Sequence, residues 1–567
     1  MSTLPRFSNP QDVDDFVETL GRFERGELSA EAFRAFRLTR GVYGQRQEGE
    51  QMLRVKIPAG LAGPEQLEAL ADVADRYSRG FGHVTTRQNL QFHFLQMAEA
   101  EAAMRRCDEA GLTTRDACGN TVRTVTACEV AEVCGSAPFD VTPYAEALTR
   151  HFLGHPLSGS LPRKFKTAFS GCASDCAKAA IHDLGFVAAT REGEPGFKVL
   201  AAGGLSTSPQ AALVLHEFVP AAAIGRVGEA IVRLFHRLGN RENRHRARLK
   251  YVLRKLGEEK FRAAYAEVRA EVEAEVIGDL KVEGPPVREP APPRRRLGPT
   301  SESFAAWQAS NVFEQKQAGY AAVYVRLSLG DITSAQLRAL AGVCTRYGDG
   351  TLRFTIDQNL LLPWVDRRSL GSLHAELEPI GLARTGVRTA RDVTSCPGAD
   401  TCNLAVTASR RLAAAVAERL EQPDALALEG LGGASIKVSG CPNSCGQHHV
   451  ADLGFHGGAK NVSGTTVPIY QLHLGGGVDA RGARFGRQVV KIVARRVPDA
   501  VVRLFELYGR ERAGGESAAD FFARVDPKAV VAALGPLVAT APEAGENADF
   551  GESEGFLVRT GDGECAA

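Results

Sequence analysis

Residues 52–58, MLRVKIP, alternate apolar and polar side chains, the pattern of a half-buried strand. Residues 63–80, GPEQLEALADVADRYSRG, space their apolar positions at helical intervals and stop at a glycine. Strand periodicity returns over 83–95, HVTTRQNLQFHFL. The same order recurs later in the chain. QLEALADVADRY at 66–77 returns as QLRALAGVCTRY at 336–347, Gln88-Asn89-Leu90 as Gln358-Asn359-Leu360, and Asp183-Leu184-Gly185-Phe186 as Asp452-Leu453-Gly454-Phe455. The offset stays near about 270 residues, so the chain is a tandem duplication, and a pseudo-two-fold pairing of its halves is expected. Strand, helix, strand in each half predicts an α+β fold with helices packed on one face of each sheet. Residues 225–275 read as mainly helical and strongly charged. The proline-rich run GPPVREPAPPRRRLGP at 284–299 reads as an extended linker, and the acidic, glycine-rich residues from 541 onward as a disordered tail.

Composition narrows the function. The 567 residues are ample for several cores, and a net charge of +1 gives no bulk electrostatic case for nucleic acid or a membrane surface. With no apolar run long enough to span a bilayer and no apolar leader, the expected location is the cytoplasm. Twelve cysteines are many for a reducing compartment, where clustered thiols point first to metal.

Eight of those cysteines form four close pairs. In the second half Cys396 and Cys402 make C-x5-C, and Cys441 and Cys445 make C-x3-C. The wide spacing suits a cubane iron–sulfur cluster better than a zinc knuckle; zinc and metal-free thiols are the alternatives. C-x5-C followed by GCPNSCG resembles the siroheme-dependent nitrite and sulfite reductase family, and the likeness runs over roughly 40–540, duplication included. The resemblance implies a [4Fe–4S] cluster on Cys396, Cys402, Cys441 and Cys445, with Cys445 shared with the siroheme iron. It also divides the chain. An N-terminal arm (1–48) precedes a first ferredoxin-like half-domain (49–116) and a first siroheme/Fe–S-type domain (117–283). A Pro-rich linker (284–314), a second ferredoxin-like half-domain (315–385), a second siroheme/[4Fe–4S] domain (386–540) and the disordered acidic tail (541–567) follow.

By the same resemblance Arg54, Arg123, Lys164 and Lys166 form the catalytic anion cage. Siroheme's carboxylates need cationic and amide donors, for which the matching segments supply Arg87, Gln91, His93, Arg163, Arg244, Arg248, Lys250 and Asn443, with Cys445 binding the cofactor through its iron. Gly475, Gly476 and Gly477 are expected near the macrocycle. The family's ferredoxin-dependent branch also matches at Tyr43 and Cys118, a pair that some members link covalently. The first half keeps its own C-x5-C and C-x3-C at Cys128, Cys134, Cys172 and Cys176, a candidate second [4Fe–4S] set with metal-free thiols as the alternative. The residues that would face it have largely lost their positive charge: Arg326 and Arg391 match Arg54 and Arg123, but Arg87 becomes Asp357, Lys164 becomes Gly433 and Lys166 becomes Ser435. One siroheme is therefore expected. Nitrite-type members tend to carry Asn where Lys166 stands, so the expected reaction is six-electron reduction of sulfite. Reduction of nitrite and a two-cluster electron-transfer protein without siroheme are the alternatives. No nucleotide-binding glycine motif or flavin segment is present, so electrons are expected from a partner protein such as ferredoxin.

Overall fold

The computed structural model describes residues 4–275, 280–284, 291–292, 301–539, 542–543, 545–553, 555–561 and 563–564. Most of the proline-rich run, residues 285–290 and 293–299, lies outside the described residues. The described residues build four five-stranded sheets and one small two-stranded one.

The first ferredoxin-like sheet uses Val42–Gly44, Glu50–Val55, Phe81–Val84 and Leu90–Gln96; its repeat uses Val312–Glu314, Tyr320–Val325, Leu352–Phe354 and Leu360–Asp366. Each is completed by the other half. Asp331–Thr333 pairs antiparallel with Phe81–Val84, and Leu61–Ala62 pairs with Leu352–Phe354. The helices Pro64–Tyr77 and Ser334–Tyr347 pack together, so one apolar core runs through both halves. The repeated Gln-Leu pair now has a physical reason. Gln66 Oε1 accepts from Gly63 N–H (3.1 Å) and Gln336 Oε1 from Thr333 N–H (3.0 Å), which caps the start of each helix.

Residues 83–95 are not one strand. Thr85–Asn89 make a turn in which Thr85 Oγ1 accepts from the Arg87 and Asn89 amides (3.2 Å each) and Gln88 sits at φ +57°. Gln88 donates across the pseudo-two-fold to Phe354 O, and Gln358 donates back to Val84 O (2.9 Å each).

The other two sheets mix parallel and antiparallel pairs. One orders Leu213–Pro220, Glu194–Ala201, Leu184–Arg191, Thr167–Ser170 and Thr126–Ala127; the other orders Thr394–Ser395, Ile436–Ser439, Leu453–Val462, Thr465–Leu474 and Arg487–Val493. Helices Ile224–Leu238 and Glu258–Ala274 join the core of the first, and Ser409–Leu420 and Val497–Glu511 that of the second.

Three expectations need correction. The first 48 residues are no simple arm: Pro10–Glu24 and Ala30–Thr39 are helices, and Val42–Gly44 opens the first sheet. Glu302–Asn311, expected inside the linker, is a helix whose Trp307 is fully buried. The described residues of the tail, expected to be disordered, are docked. Asp549 accepts from Ala408 N–H (2.7 Å), Glu546 pairs with Arg496 (2.5 Å), and Glu564 pairs with Arg37 and accepts from Gly44 N–H (2.6 Å). Asp549, Glu546 and Glu564 thus each meet a cation or amide far away in sequence.

Candidate active site

Parallel pairing puts both second-half cysteine loops at one edge of a sheet. Thr394–Ser395 and Ile436–Ser439 run side by side, and each leads straight into a cysteine pair. Cys396 and Cys441 are buried, Cys402 is half-buried and Cys445 is exposed. Gly440 donates its N–H to Cys396 Sγ (3.3 Å), and a Cβ there would strike Thr407 O at 2.6 Å, so only glycine brings that amide to the sulfur. Burial pushes the Cys441 thiol up, and Cys445, Cys396 and Cys402 push it further; burial and Cys445 do the same to Cys396. Thiols that raise one another in this way are relieved by a shared metal centre, and the donor set fits an iron–sulfur cluster. The loop is held from the first half. Arg46 N–H donates to Thr401 O (2.8 Å), Arg46 Nη2 to Ala405 O (2.6 Å), and Asn403 Nδ2 to Gln45 O (3.1 Å).

All four cysteines line one cavity, and its cationic wall comes from the first half. Arg54, Arg87, Arg123, Arg163, Lys164, Lys166, Arg244, Arg248 and Lys250 line it, as do Gln91, His93 and Asn443; among the described lining residues there is no carboxylate. Every residue expected in the anion cage, the cofactor cradle and the second-half cluster therefore reaches one space. Lys164 and Lys166 do so because Phe165 between them points into the core, as alternation along an extended segment requires.

Arg54 Nη1 and Arg123 Nη1 both donate to Ala117 O (3.2 and 2.9 Å), and Arg123 Nε donates to Gly119 O (3.0 Å). Gln91, turned so that its carboxamide oxygen faces Arg54, accepts from that guanidinium. Arg87 donates to Thr124 O, Thr167 O and His182 Nε2. His182 Nδ1 lies 2.7 Å from Lys178 O, which puts its proton on Nδ1 and leaves Nε2 as the acceptor for Arg87. Burial lowers Arg87 to about 9, with Arg123 next. Burial also holds Lys166 well below its usual range, with further repulsion from Arg87, Arg248 and Lys164. Around this space Arg87 Nε, His93 Nε2, Ser395 Oγ and Ser444 Oγ are buried without a hydrogen-bond partner among the described residues. Crowded cations and orphaned polar atoms fit a large polyanionic group such as a carboxylate-bearing tetrapyrrole.

Some expected roles change. Arg248 grips buried Asp183 with two bonds (3.1 and 2.7 Å), and Lys250 donates to Leu205 O and Ser208 O (2.6 and 2.5 Å). Both line the cavity while holding its wall, and Lys250 is lowered to about 7 by burial. The triple glycine is not among the cavity's lining residues: a Cβ on Gly475 would strike Ala523 and one on Gly476 the His449 carbonyl, so these glycines serve backbone packing. Tyr43 and Cys118 share a buried cluster with Leu38 and Met52. His182 was missed. Its signal was the repeat itself: its counterpart is Ala451, and Arg87, Lys164 and Lys166, the cations that also change between copies, line the same cavity.

The pseudo-symmetric position beside the first-half cysteines is built differently. Asp357 pairs with Lys178 and Lys437 (2.9 and 2.8 Å), and Arg326 with Asp392 and Glu421 (3.7 and 3.5 Å). Arg391 pairs with Glu421 (3.1 Å), and Tyr324, Arg388 and Glu129 bond one another next to Cys128 and Cys176. Cations that would face an anion there are neutralised within the protein.

Comparison with known proteins agrees with this architecture. The nitrite and sulphite reductase 4Fe-4S domain matches residues 118–273 and 386–534, and the nitrite/sulfite reductase ferredoxin-like half domain matches 43–110 and 313–380. A sulfite reductase [ferredoxin] of Mycobacterium tuberculosis is 28% identical, over 92% of this chain and 94% of its own length. A ferredoxin–nitrite reductase of Leptolyngbya laminosa is 31% identical over 78% of this chain and 83% of its own. The solved structure of the Mycobacterium tuberculosis NirA protein superposes with a TM-score of 0.75 at 26% identity, covering 92% of this chain and 97% of that one. The duplicated fold, the cysteine pairs at the strand ends and these matches together make the chain a member of the nitrite and sulphite reductase family, a 4Fe–4S oxidoreductase.

Proposed function

We propose that the protein reduces sulfite to sulfide by six electrons, taking up six protons and releasing three waters, with electrons from a partner such as ferredoxin. One observation carries this reading: nine cationic side chains and no carboxylate line the cavity that also receives the four cysteines. A siroheme would supply the electron-conducting macrocycle and an iron on which the anion is reduced. Cys396, Cys402, Cys441 and Cys445 would hold the cluster, with Cys445 shared. Arg87, Arg163, Arg244, Gln91, His93 and Asn443 would meet the macrocycle's carboxylates and edge.

The chain's own residues then bind and protonate. Arg54 and Arg123 are fixed by the Ala117 carbonyl, so their guanidinium charge is in place for an oxyanion without reorganising. Lys164 and Lys166 add two ammonium groups from the facing segment. Lys166, depressed by burial and by its cationic neighbours, takes up a proton as an anion arrives and releases it readily to a departing oxygen at Nζ. Sulfite, a dianion with three oxygens, gains more from four such cations than the monoanion nitrite does, which favours sulfite. The nitrite reading rests on the Leptolyngbya laminosa relative.

The test is turnover of sulfite and nitrite side by side with reduced methyl viologen, together with the visible spectrum of the pure protein. Haem bands with a higher kcat/KM for sulfite are expected. A colourless protein refutes the reading, and nitrite preference reverses the substrate assignment.

A further inference from the structure

Behind the cluster loop lies a second group of ligating side chains that the reduction chemistry does not use. His448, in the 3-10 turn three residues after Cys445, meets His456 on Leu453–Val462 and His473 on Thr465–Leu474. One nitrogen of each lies within 4.8 Å of the other two, and His456 Nδ1 is 2.7 Å from His473 Nε2. His448 and His473 are fully buried. Both ring nitrogens of His448 lack a hydrogen-bond partner among the described residues, an arrangement that costs free energy unless something fills the space between the rings. His449, the fourth ring, is turned away and bonded to Ser206 O (2.9 Å).

From this geometry we infer that His448, His456 and His473 form a binding site for one divalent transition-metal ion, zinc being the best match to three imidazoles. Zinc takes neutral imidazole nitrogens at about 2.0–2.1 Å in a tetrahedron, which sets the nitrogens about 3.3 Å apart. The site reaches that geometry by small side-chain rotations, with the metal replacing the His456–His473 hydrogen bond. The rings are neutral when the metal arrives: burial lowers His456 to about 4 and His473 to about 3, and holds His448 well down. His456 also lines a second cavity of about 500 Å³, which meets the cationic one at Thr207, so a water from there can complete four ligands. Bound metal would staple the loop carrying Cys441 and Cys445 to the hairpin beneath it. This proposal is independent of which anion is reduced.

The experiment uses the full chain with its cofactors. The protein is stripped of loosely bound metal by dialysis against a chelator and titrated with Zn²⁺ alone, with metal counted per chain and the zinc edge recorded by X-ray absorption. One zinc per chain is expected, with a first shell of nitrogen and oxygen near 2.0 Å, imidazole outer shells and no sulfur. His456→Ala, on a partly exposed strand position, is expected to weaken binding about 100-fold or more. No zinc at micromolar concentration overturns the proposal. A shell containing sulfur near about 2.3 Å also overturns it, since that assigns the metal to cysteines. So does unchanged affinity in His456→Ala, and if that variant misfolds, the wild-type absorption edge still decides.

Discussion

In the proposed reaction, substrate choice is expected to turn on Lys166. Its Nζ is crowded by Arg87, Arg248 and Lys164, and its neighbour Phe165 fixes its direction by filling the core. Lys166→Asn keeps a hydrogen-bond donor, shorter and neutral, and removes one charge. Losing one charge-assisted bond costs about 1.5–3 kcal/mol, so kcat/KM for sulfite falls about 10–100-fold while that for nitrite falls less. An unchanged ratio of the two, measured on protein with normal cofactor content, removes Lys166 from the specificity argument. Asp357 is the opposite case. Burial alone would raise its carboxyl, but Lys178, Lys437 and Arg388 hold it well below the usual range. A depressed carboxyl contributes stability that is present above its unfolded value near about 4 and is lost as pH falls through the folded value. Asp357→Asn is therefore expected to cost about 2–3 kcal/mol at neutral pH, less than a fully buried pair because the side chain is partly exposed. Lys437, already lowered to about 8 by burial, limits the loss by giving up its proton. Urea unfolding from pH 3 to 8 checks this: the variant's stability should be flatter than the wild type's on the acid side.

At the scale of elements, the cysteine loops depend on what clasps them. The Cys396–Cys402 loop is held by residues 45–47 on one side and by the tail on the other, where Asp549 caps Ala408 N–H and Gly561 N–H donates to Asn403 O (3.0 Å). Removing residues 541–567 takes away those bonds and the buried Phe556, about 2–4 kcal/mol of support. The truncated protein should melt several degrees lower and lose iron faster on dilution; equal iron retention would show that the clasp does not serve the cluster. The sequence could show where the cysteines were, because C-x5-C and C-x3-C are local. It could not show the clasp, since Glu564 and Arg37 stand at opposite ends of the chain and composition alone reads such a tail as solvated. The triple glycine misled for the same reason: its constraint is the backbone at Ala523 and His449, which no local pattern reveals.

At the scale of the whole molecule, duplication was legible and its consequence was not. Repeated helices and the Gln-Asn-Leu motif established two copies of one α+β unit. The strands that join them, Leu61–Ala62 and Asp331–Thr333, are too short to carry a period, and their partners lie in the other half. This exchange lets one copy lend cations to the cysteines of the other. It also allows the copies to diverge, one pairing of halves keeping Arg87, Lys164 and Lys166 and the other filling its space with Asp357, Tyr324 and Arg388. A shared core from Val13 to Leu382 means that neither copy is sealed alone. Residues 1–275 made without the rest would expose the helix Pro64–Tyr77 where Ser334–Tyr347 should lie, and Phe81–Val84 would be left as an open sheet edge. Each half expressed singly is thus expected to aggregate or stay loosely folded, whereas co-expression should give a stoichiometric complex that takes up iron. Size-exclusion chromatography and denaturant unfolding of the halves decide it: a monomeric, cooperatively folding 1–275 would show that the exchanged strands decorate two independent domains.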